Sequence, residues 1–350
     1  MLRQPTFRLI KEAETLDSRS YTRRVGIASQ TLPDVADAGR IMSEFNSGAT
    51  IALQALHRYW LPLTRFCRDL ELGLTHPVQA NAYITPPRAR GLGVHFDTHD
   101  VFVLQVSGTK HWVVYEPTVE LPLPAQKCTV ETDDPPILDI TLRPGDFLYV
   151  PRGFLHAAIS LEEVSAHLTI GILADTWYDL LLEVTRQAVE EVAFRAALPV
   201  GYAWDGAGFA DAVAASLKQF ATWVAQVDPE EVSQRRLEYF WDGRTPILAG
   251  HLAQLTQLEH ITDDSRVRWR PGSFPYLVIK ADSAVLLLGD RQLRMPARLE
   301  TTMRLITSRK SFIVSDLKED LDPPGRLVLV RRLVQEGALE VVGGSSPRSS

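Results

Sequence analysis

Three residues carry the sharpest chemical signal in this sequence. His95 and Asp97 stand in Gly93-Val94-His95-Phe96-Asp97, and His156 follows much further along. On a strand, residues i and i+2 point to the same face, so His95 and Asp97 are expected to project together. His156 is expected to arrive from another strand. Two imidazoles and one carboxylate on one face of a metal leave the opposite positions open, which is the arrangement of non-haem Fe(II) oxygenases. A bare HxD pair arises often by chance. The approach to His156 is more telling: Gly145, five residues, Pro151, Gly153, then His156. An apolar strand, Phe147 to Val150, leads to a turn that Pro151 and Gly153 make without β-branched strain, and the returning strand carries the histidine inward.

This spacing, G-x5-P-x-G-x2-H, resembles the second motif of the cupin superfamily. Ser160 stands where that motif prefers Asn, and the first cupin motif, with its second histidine, is absent; Asp97 takes that place. The pattern is therefore closer to the iron-oxygenase branch of cupin-like barrels. An oxygenase of this type needs an electron-donating cosubstrate. 2-Oxoglutarate chelates iron at one end and leaves a free carboxylate at the other, and inside a barrel that carboxylate needs a cation. Lys110, in Ser107-Gly108-Thr109-Lys110-His111-Trp112, follows a glycine turn and alternates with Trp112 and Val114 on one strand face. It is expected to reach back as that cation.

The elements that must position these residues change character along the chain. Residues 1–174 read as short β-branched and aromatic runs broken by Gly, Pro and Asp, the pattern of a sandwich or barrel. One helix is expected within this stretch, from the spacing of Leu56, Tyr59, Trp60, Leu63, Phe66, Cys67 and Leu70. Residues 175–265 turn helical: one helix from Trp177 to Val192, another through Val213, Leu217, Phe220, Val224 and Val227, and a third over 246–260 with Pro246 in its first turn. Residues 266–342 combine three short strands with helical patterns at 297–309, 314–320 and 324–336, like a winged helix. The tail at 343–350 is expected to be disordered.

The stretch Asn81-Ala82-Tyr83-Ile84-Thr85, then His95 to Asp97, then Val101 through Lys110 to Pro117, resembles the ribosomal oxygenases of the JmjC group. The likeness continues through Gly145 to His156 and Ser165 to Thr169. It implies an α+β chain: a double-stranded β-helix (the JmjC or cupin-like jelly-roll barrel), a helical dimerisation domain, then a small winged-helix domain. It further implies that His95, Asp97 and His156 bind Fe(II), that Lys110 holds the distal carboxylate of 2-oxoglutarate, and that Asn81, Tyr83 and Thr169 line the cosubstrate pocket. O2 is the third reactant. The implied function is hydroxylation of a protein side chain, Arg or His of a ribosomal protein, by a homodimer. Members of the group usually carry a helical segment before the part resembling residues 5–14, so an N-terminal lid or substrate contact is expected to be incomplete here. Rival readings are the same chemistry on a ribosomally made peptide or small natural product, N-methyl demethylation, and a cupin-like binding module without catalysis.

Composition narrows the setting. The chain has 350 residues, with 37 Lys and Arg against 43 Asp and Glu, a net charge of -6 that speaks against coating nucleic acid through charge alone. No apolar run approaches the roughly 18–20 residues of a membrane span. The charged N-terminus does not read as a signal peptide. The two cysteines, Cys67 and Cys128, exclude a disulfide framework and fit a cytoplasmic setting. Residues 291–336 hold ten basic and six acidic residues, a local +4 too modest for specific DNA recognition. Among the other histidines, His99 shares the parity of the HxD pair but is expected to lie beyond it. His111 should face away from Lys110, and His167 is expected to orient a ligand or substrate.

Overall fold

The computed structural model describes residues 2–126 and 133–343. Cys128 and residues 344–350 of the expected tail lie outside the described residues. The chain divides after Ala174 into two compact units.

The first unit is built from β1 (Phe7–Lys11), β2 (Glu14–Thr15), β3 (Thr22–Ile27), β4 (Gln30–Ala36), α1 (Ala38–Asn46), β5 (Thr50–Leu53), α2 (Leu61–Leu74), β6 (Val78–Thr85), β7 (Asp100–Ser107), β8 (Lys110–Pro117), β9 (Leu138–Leu142), β10 (Phe147–Val150), β11 (Phe154–Ser160) and β12 (Ser165–Ile172). Seven strands form one sheet in the order β10-β7-β12-β6-β5-β1-β2, and three form a second in the order β11-β8-β9. Neighbouring strands in both are antiparallel. Residues from both sheets share one interior cluster: Val101, Val103 and Val150 from the large sheet, Trp112, Val114 and Leu142 from the small one. This is the double-stranded β-helix expected from the sequence.

Strand parity explains which side chains enter the barrel. On β7, Val101, Val103 and Gln105 are buried on one face, while Phe102 and Leu104 pack outward. There they meet Leu63 and Cys67 of α2, with Val78, Ala80, Ile170 and Ile172. The large sheet thus carries apolar residues on both faces, one toward the barrel and one under a helix. The HxD segment departs from expectation. His95 makes a single bridge to His156, and Asp97 lies in the loop before β7 rather than on a strand. The segment 86–94, with its prolines and glycines, cannot support a continuous ladder.

The second unit holds α3 (Trp177–Gln187), α4 (Gly206–Val224), α5 (Pro229–Asp242), α6 (His251–Leu255), β13 (Arg266–Trp269), β14 (Tyr276–Ile279), β15 (Ser283–Leu287), β16 (Gln292–Pro296), α7 (Glu300–Ser308), β17 (Ser311–Ile313), α8 (Pro323–Gln335) and β18 (Leu339–Val341). The first expected helix stops at Gln187, and the next two segments are 3-10 turns. The helix expected over 246–260 shrinks to His251–Leu255, because Gly250 takes a left-handed conformation just before it. α5 went unread, although Asp228 caps it, Pro229 opens it and Glu230 and Glu231 fill its first turn. A cluster including Val267, Met303, Ile306, Phe312, Leu333 and Leu339 forms the core around the small strands and α7 and α8.

Candidate active site

The single bridge between His95 and His156 is what aligns the site. Each backbone N–H donates to the other residue's carbonyl, at 3.1 and 2.7 Å. The two rings lie 4.4 Å apart between centroids, and His156 Nε2 is 3.6 Å from Asp97 Oδ2. One ligand atom from each of His95, Asp97 and His156 lies within 4.8 Å of the other two. The histidine tautomers follow from the backbone. His95 Nδ1 sits 2.9 Å from the Gly93 carbonyl and His156 Nδ1 3.0 Å from the Phe154 carbonyl. A carbonyl only accepts, so each Nδ1 carries the proton and each Nε2 lone pair is free for a metal. Burial, then the neighbouring His95, pushes His156 down to about 4, so it stays a neutral imidazole at physiological pH. Two imidazoles and a carboxylate on adjoining segments fit a divalent transition metal with open positions.

Gly153, which turns the chain into β11, has φ +90, and a Cβ there would come within 2.5 Å of the Val119 carbonyl oxygen. Ser160, the departure from the cupin pattern, also has a structural task. Its hydroxyl accepts from the Ala89 N–H at 3.0 Å and bonds the Pro86 carbonyl, tying down the segment that leads to His95.

A cavity of about 180 Å³ opens beside these three residues and is lined by Tyr83, Lys110, Trp112, His167 and Thr169 among others. Lys110 is only 4% exposed. Its ammonium donates to Thr85 Oγ1 at 3.0 Å, and burial pushes it down to about 7. The turn before it is held by Gln105, whose carboxamide N–H groups donate to the Ser107 and Gly108 carbonyls and to Ser165 Oγ. Gly108 has φ +63, and a Cβ there would stand 2.1 Å from the Val164 carbonyl oxygen. Gly108→Ala is therefore expected to destabilise the barrel by more than about 2 kcal/mol. A denaturant titration checks this: an unchanged midpoint would mean the turn is not needed to place Lys110.

Tyr83 and His167 are cross-strand partners in the β6/β12 pair, and their rings stack at 5.2 Å. Trp112 meets His167 edge-on at 5.4 Å. Among the described residues, His167 Nδ1 and Trp112 Nε1 are both buried without a hydrogen-bond partner. Burial, then the Lys110 charge, holds His167 well below its ordinary range, so it is neutral. Asn81 does not line the cavity. Its Oδ1 accepts from the Ala55 N–H at 3.0 Å, while its cross-strand partner Thr169 does line it. His99 rests against Gly171, where a Cβ would come within 2.6 Å of its ring. His111 turns outward toward Thr141 and Asp139. Sequence reasoning missed Arg8, a second cation in the cavity besides Lys110. Its one visible signal was parity, opposite to the buried Phe7 and Leu9 on β1.

A double-stranded β-helix with two histidines and a carboxylate converging beside a cavity with a buried lysine defines a cupin-like barrel with a candidate metal site. Residues 58–180 match the JmjC domain family. The chain is 33% identical over 211 residues to a bifunctional lysine-specific demethylase and histidyl-hydroxylase NO66 from Drosophila persimilis, covering 56% of this chain and 31% of that one. It is 40% identical over 162 residues to ribosomal oxygenase 2 from Bos taurus, covering 43% and 34%. The chain thus spans about a third of the length of these curated relatives. The fold resembles that of the Escherichia coli ribosomal oxygenase YcfD, with a TM-score of 0.54 at 17% identity, over 96% of this chain and 86% of that one. That protein has also been solved with cobalt and 2-oxoglutarate. Residues 58–180 of this chain thus match a JmjC domain, and over part of its length the chain is similar to proteins of the ribosomal oxygenase group.

Proposed function

We propose that this chain is an Fe(II)- and 2-oxoglutarate-dependent oxygenase that hydroxylates a side chain of a ribosomal protein. The observation that carries the reading is the convergence of His95, Asp97 and His156 on the cavity into which Lys110 is buried. Fe(II) held by these three residues, with 2-oxoglutarate, supplies the activation of O2 for C–H hydroxylation, leaving succinate and CO2. The protein's own residues bind and orient. Hydrogen bonds from Nδ1 to the Gly93 and Phe154 carbonyls hold both imidazoles in their ligating tautomer. Lys110 compensates the distal carboxylate in a buried site, where an unpaired charge would be costly. Tyr83, His167 and Trp112 wall that end of the cavity, and Thr169 offers it a hydroxyl. Asn81 belongs to the pocket in this reading only through the strand it shares with Tyr83.

The test is succinate formation that requires both Fe(II) and 2-oxoglutarate, with mass spectrometry of ribosomal proteins from cells with and without the gene. A gain of one oxygen on a ribosomal protein supports the reading. Absence of metal-dependent succinate release would overturn it. A cytoplasmic setting belongs to the same reading; among the described residues, no helix is long and apolar enough to cross a membrane.

The helical region 175–265 serves homodimerisation in this reading. None of the residues of α4 is buried, although it carries Val213, Leu217 and Val224, and Trp177 and Trp204 are 79% and 92% exposed. Apolar faces of this size call for a partner, and an obligate interface commonly buries more than about 2,000 Å². The wild type is expected to scatter light as a dimer at micromolar concentration, and Leu217→Glu to shift it toward monomer. A monomeric wild type would contradict the assignment. The module at 266–342 serves protein contact rather than sequence-specific DNA recognition. The three arginines of α8 are engaged in ion pairs, Arg326 with Asp263, Arg331 with Glu259 and Arg332 with Glu336.

A further inference from the structure

Arg8 has no part in the chemistry above, yet it lines the same cavity. Every residue assigned to the metal or the cosubstrate lies within the stretch 58–180 that matches the JmjC domain. Arg8, on β1, lies outside it. The strand register brings it in: Arg8 stands opposite Ala52, Ala52 opposite Tyr83, and Tyr83 opposite His167. Ala52 ends at its Cβ, which lets the long arginine extend across β5 and line the cavity together with Tyr83. Among the described residues, Arg8 Nε is buried with no hydrogen-bond partner.

The charges of the cavity then decide what it admits. Among the described residues that line it, Arg8 and Lys110 are the cations and Asp97 is the one carboxylate. Lys110 is matched to the distal carboxylate of the cosubstrate, and Asp97 is committed to the metal. Arg8 is left with hydrogen-bond donors and a charge that no lining residue compensates.

We propose that Arg8 determines substrate specificity: it reads a hydrogen-bond acceptor on the incoming side chain, so the target is an uncharged or acidic residue such as His, Asn or Asp, not Arg or Lys. The proposal rests on the oxygenase reading and narrows it. A cationic side chain entering this cavity would leave water for a site with no free carboxylate and would face a second guanidinium, so its desolvation goes uncompensated. A neutral imidazole, a carboxamide or a carboxylate presents a lone pair to the planar donor fork of arginine, the partner geometry that residue is built for.

The test uses five peptides identical except for a central His, Asn, Asp, Arg or Lys. Their binding is measured without oxygen to the full chain loaded with Mn(II) and 2-oxoglutarate, for wild type, Arg8→Met and Arg8→Glu. Wild type is expected to bind the His, Asn or Asp peptide at least about 10-fold more tightly than the Arg and Lys peptides, the lower bound for one charge-assisted hydrogen bond. Arg8→Met should erase that preference and Arg8→Glu invert it, and each preference is read as the ratio between peptides at saturating 2-oxoglutarate, so that any change in cosubstrate affinity at this shared cavity cancels. Equal or undetectable binding of all five peptides by wild type would overturn the proposal. So would a preference that survives in Arg8→Met. A parallel aerobic incubation with Fe(II) reads the hydroxylase assignment separately: absence of oxygen gain on every peptide would sink that assignment, while the binding preference still reports on Arg8.

Discussion

Asp97→Ala is expected to abolish succinate formation. Asp97 is the only anionic member of the converging set; the other two members, His95 and His156, are histidines. Removing it leaves two neutral imidazoles on a dication and takes away the charge that offsets the metal in a partly buried site. Losing a group that merely supports a ligand costs about 10–100-fold in metal affinity or activity, so loss of the ligand itself should exceed about 100-fold. The fold should survive, because the Asp97 side chain is 30% exposed and the contact that places the segment is between backbones: the Gly153 N–H donates to the Asp97 carbonyl at 3.0 Å. Metal titration by calorimetry and succinate release are the two measurements. Wild-type turnover in the variant would remove Asp97 from the metal site and the oxygenase assignment with it.

Lys110→Met is expected to leave metal binding nearly intact and to raise the 2-oxoglutarate requirement by roughly 10–150-fold, the equivalent of one charge-assisted hydrogen bond of about 1.5–3 kcal/mol. The pH dependence supplies a second signature. Burial holds Lys110 at about 7 in the cosubstrate-free protein, with Thr85 as its hydrogen-bond partner and neutral His167 facing it. Below pH 7 the ammonium is already charged and binding an anion moves few protons. Above pH 7 the free site holds a neutral amine, and the arriving carboxylate draws a proton onto it. Near pH 8 the uptake should be about 0.9 proton per cosubstrate bound, and affinity should weaken as pH rises. Calorimetry in buffers of different ionisation enthalpy measures the uptake. Lys110→Met should show none of it at this site. A wild-type affinity that rises from pH 7 to 9 would remove Lys110 from the cosubstrate site.

Local motifs were the most legible part of this protein. The Pro151–Gly153 turn and the spacing to His156 specify a strand return within a few residues, and the positive φ of Gly153 and Gly108 shows why those positions are glycine. The pairing of His95 with Asp97 was legible for a partly mistaken reason. The expected continuous strand is a single bridge to His156, and that bridge brings the three candidate ligands together. Helix ends in the second unit were less legible. Apolar periodicity ran on past Gln187 and through Gly250, where backbone conformation, not hydrophobic spacing, ends or starts the helix.

By itself, the sequence determined the barrel class, the three metal-ligand candidates and the buried cation Lys110, because each depends on residues near one another along the chain or on strand parity. Tertiary structure alone decided the rest of the cavity. Asn81 shares the parity of Tyr83 yet turns its carbonyl oxygen to Ala55, a choice made by the end of the neighbouring strand. Arg8 enters because three strands, distant in sequence, pair in one register and the middle one carries alanine at the crossing point. That register is set by the burial of Phe7 and Leu9 on the opposite face of β1, since slipping by one residue would turn them to the cavity and Arg8 into the core.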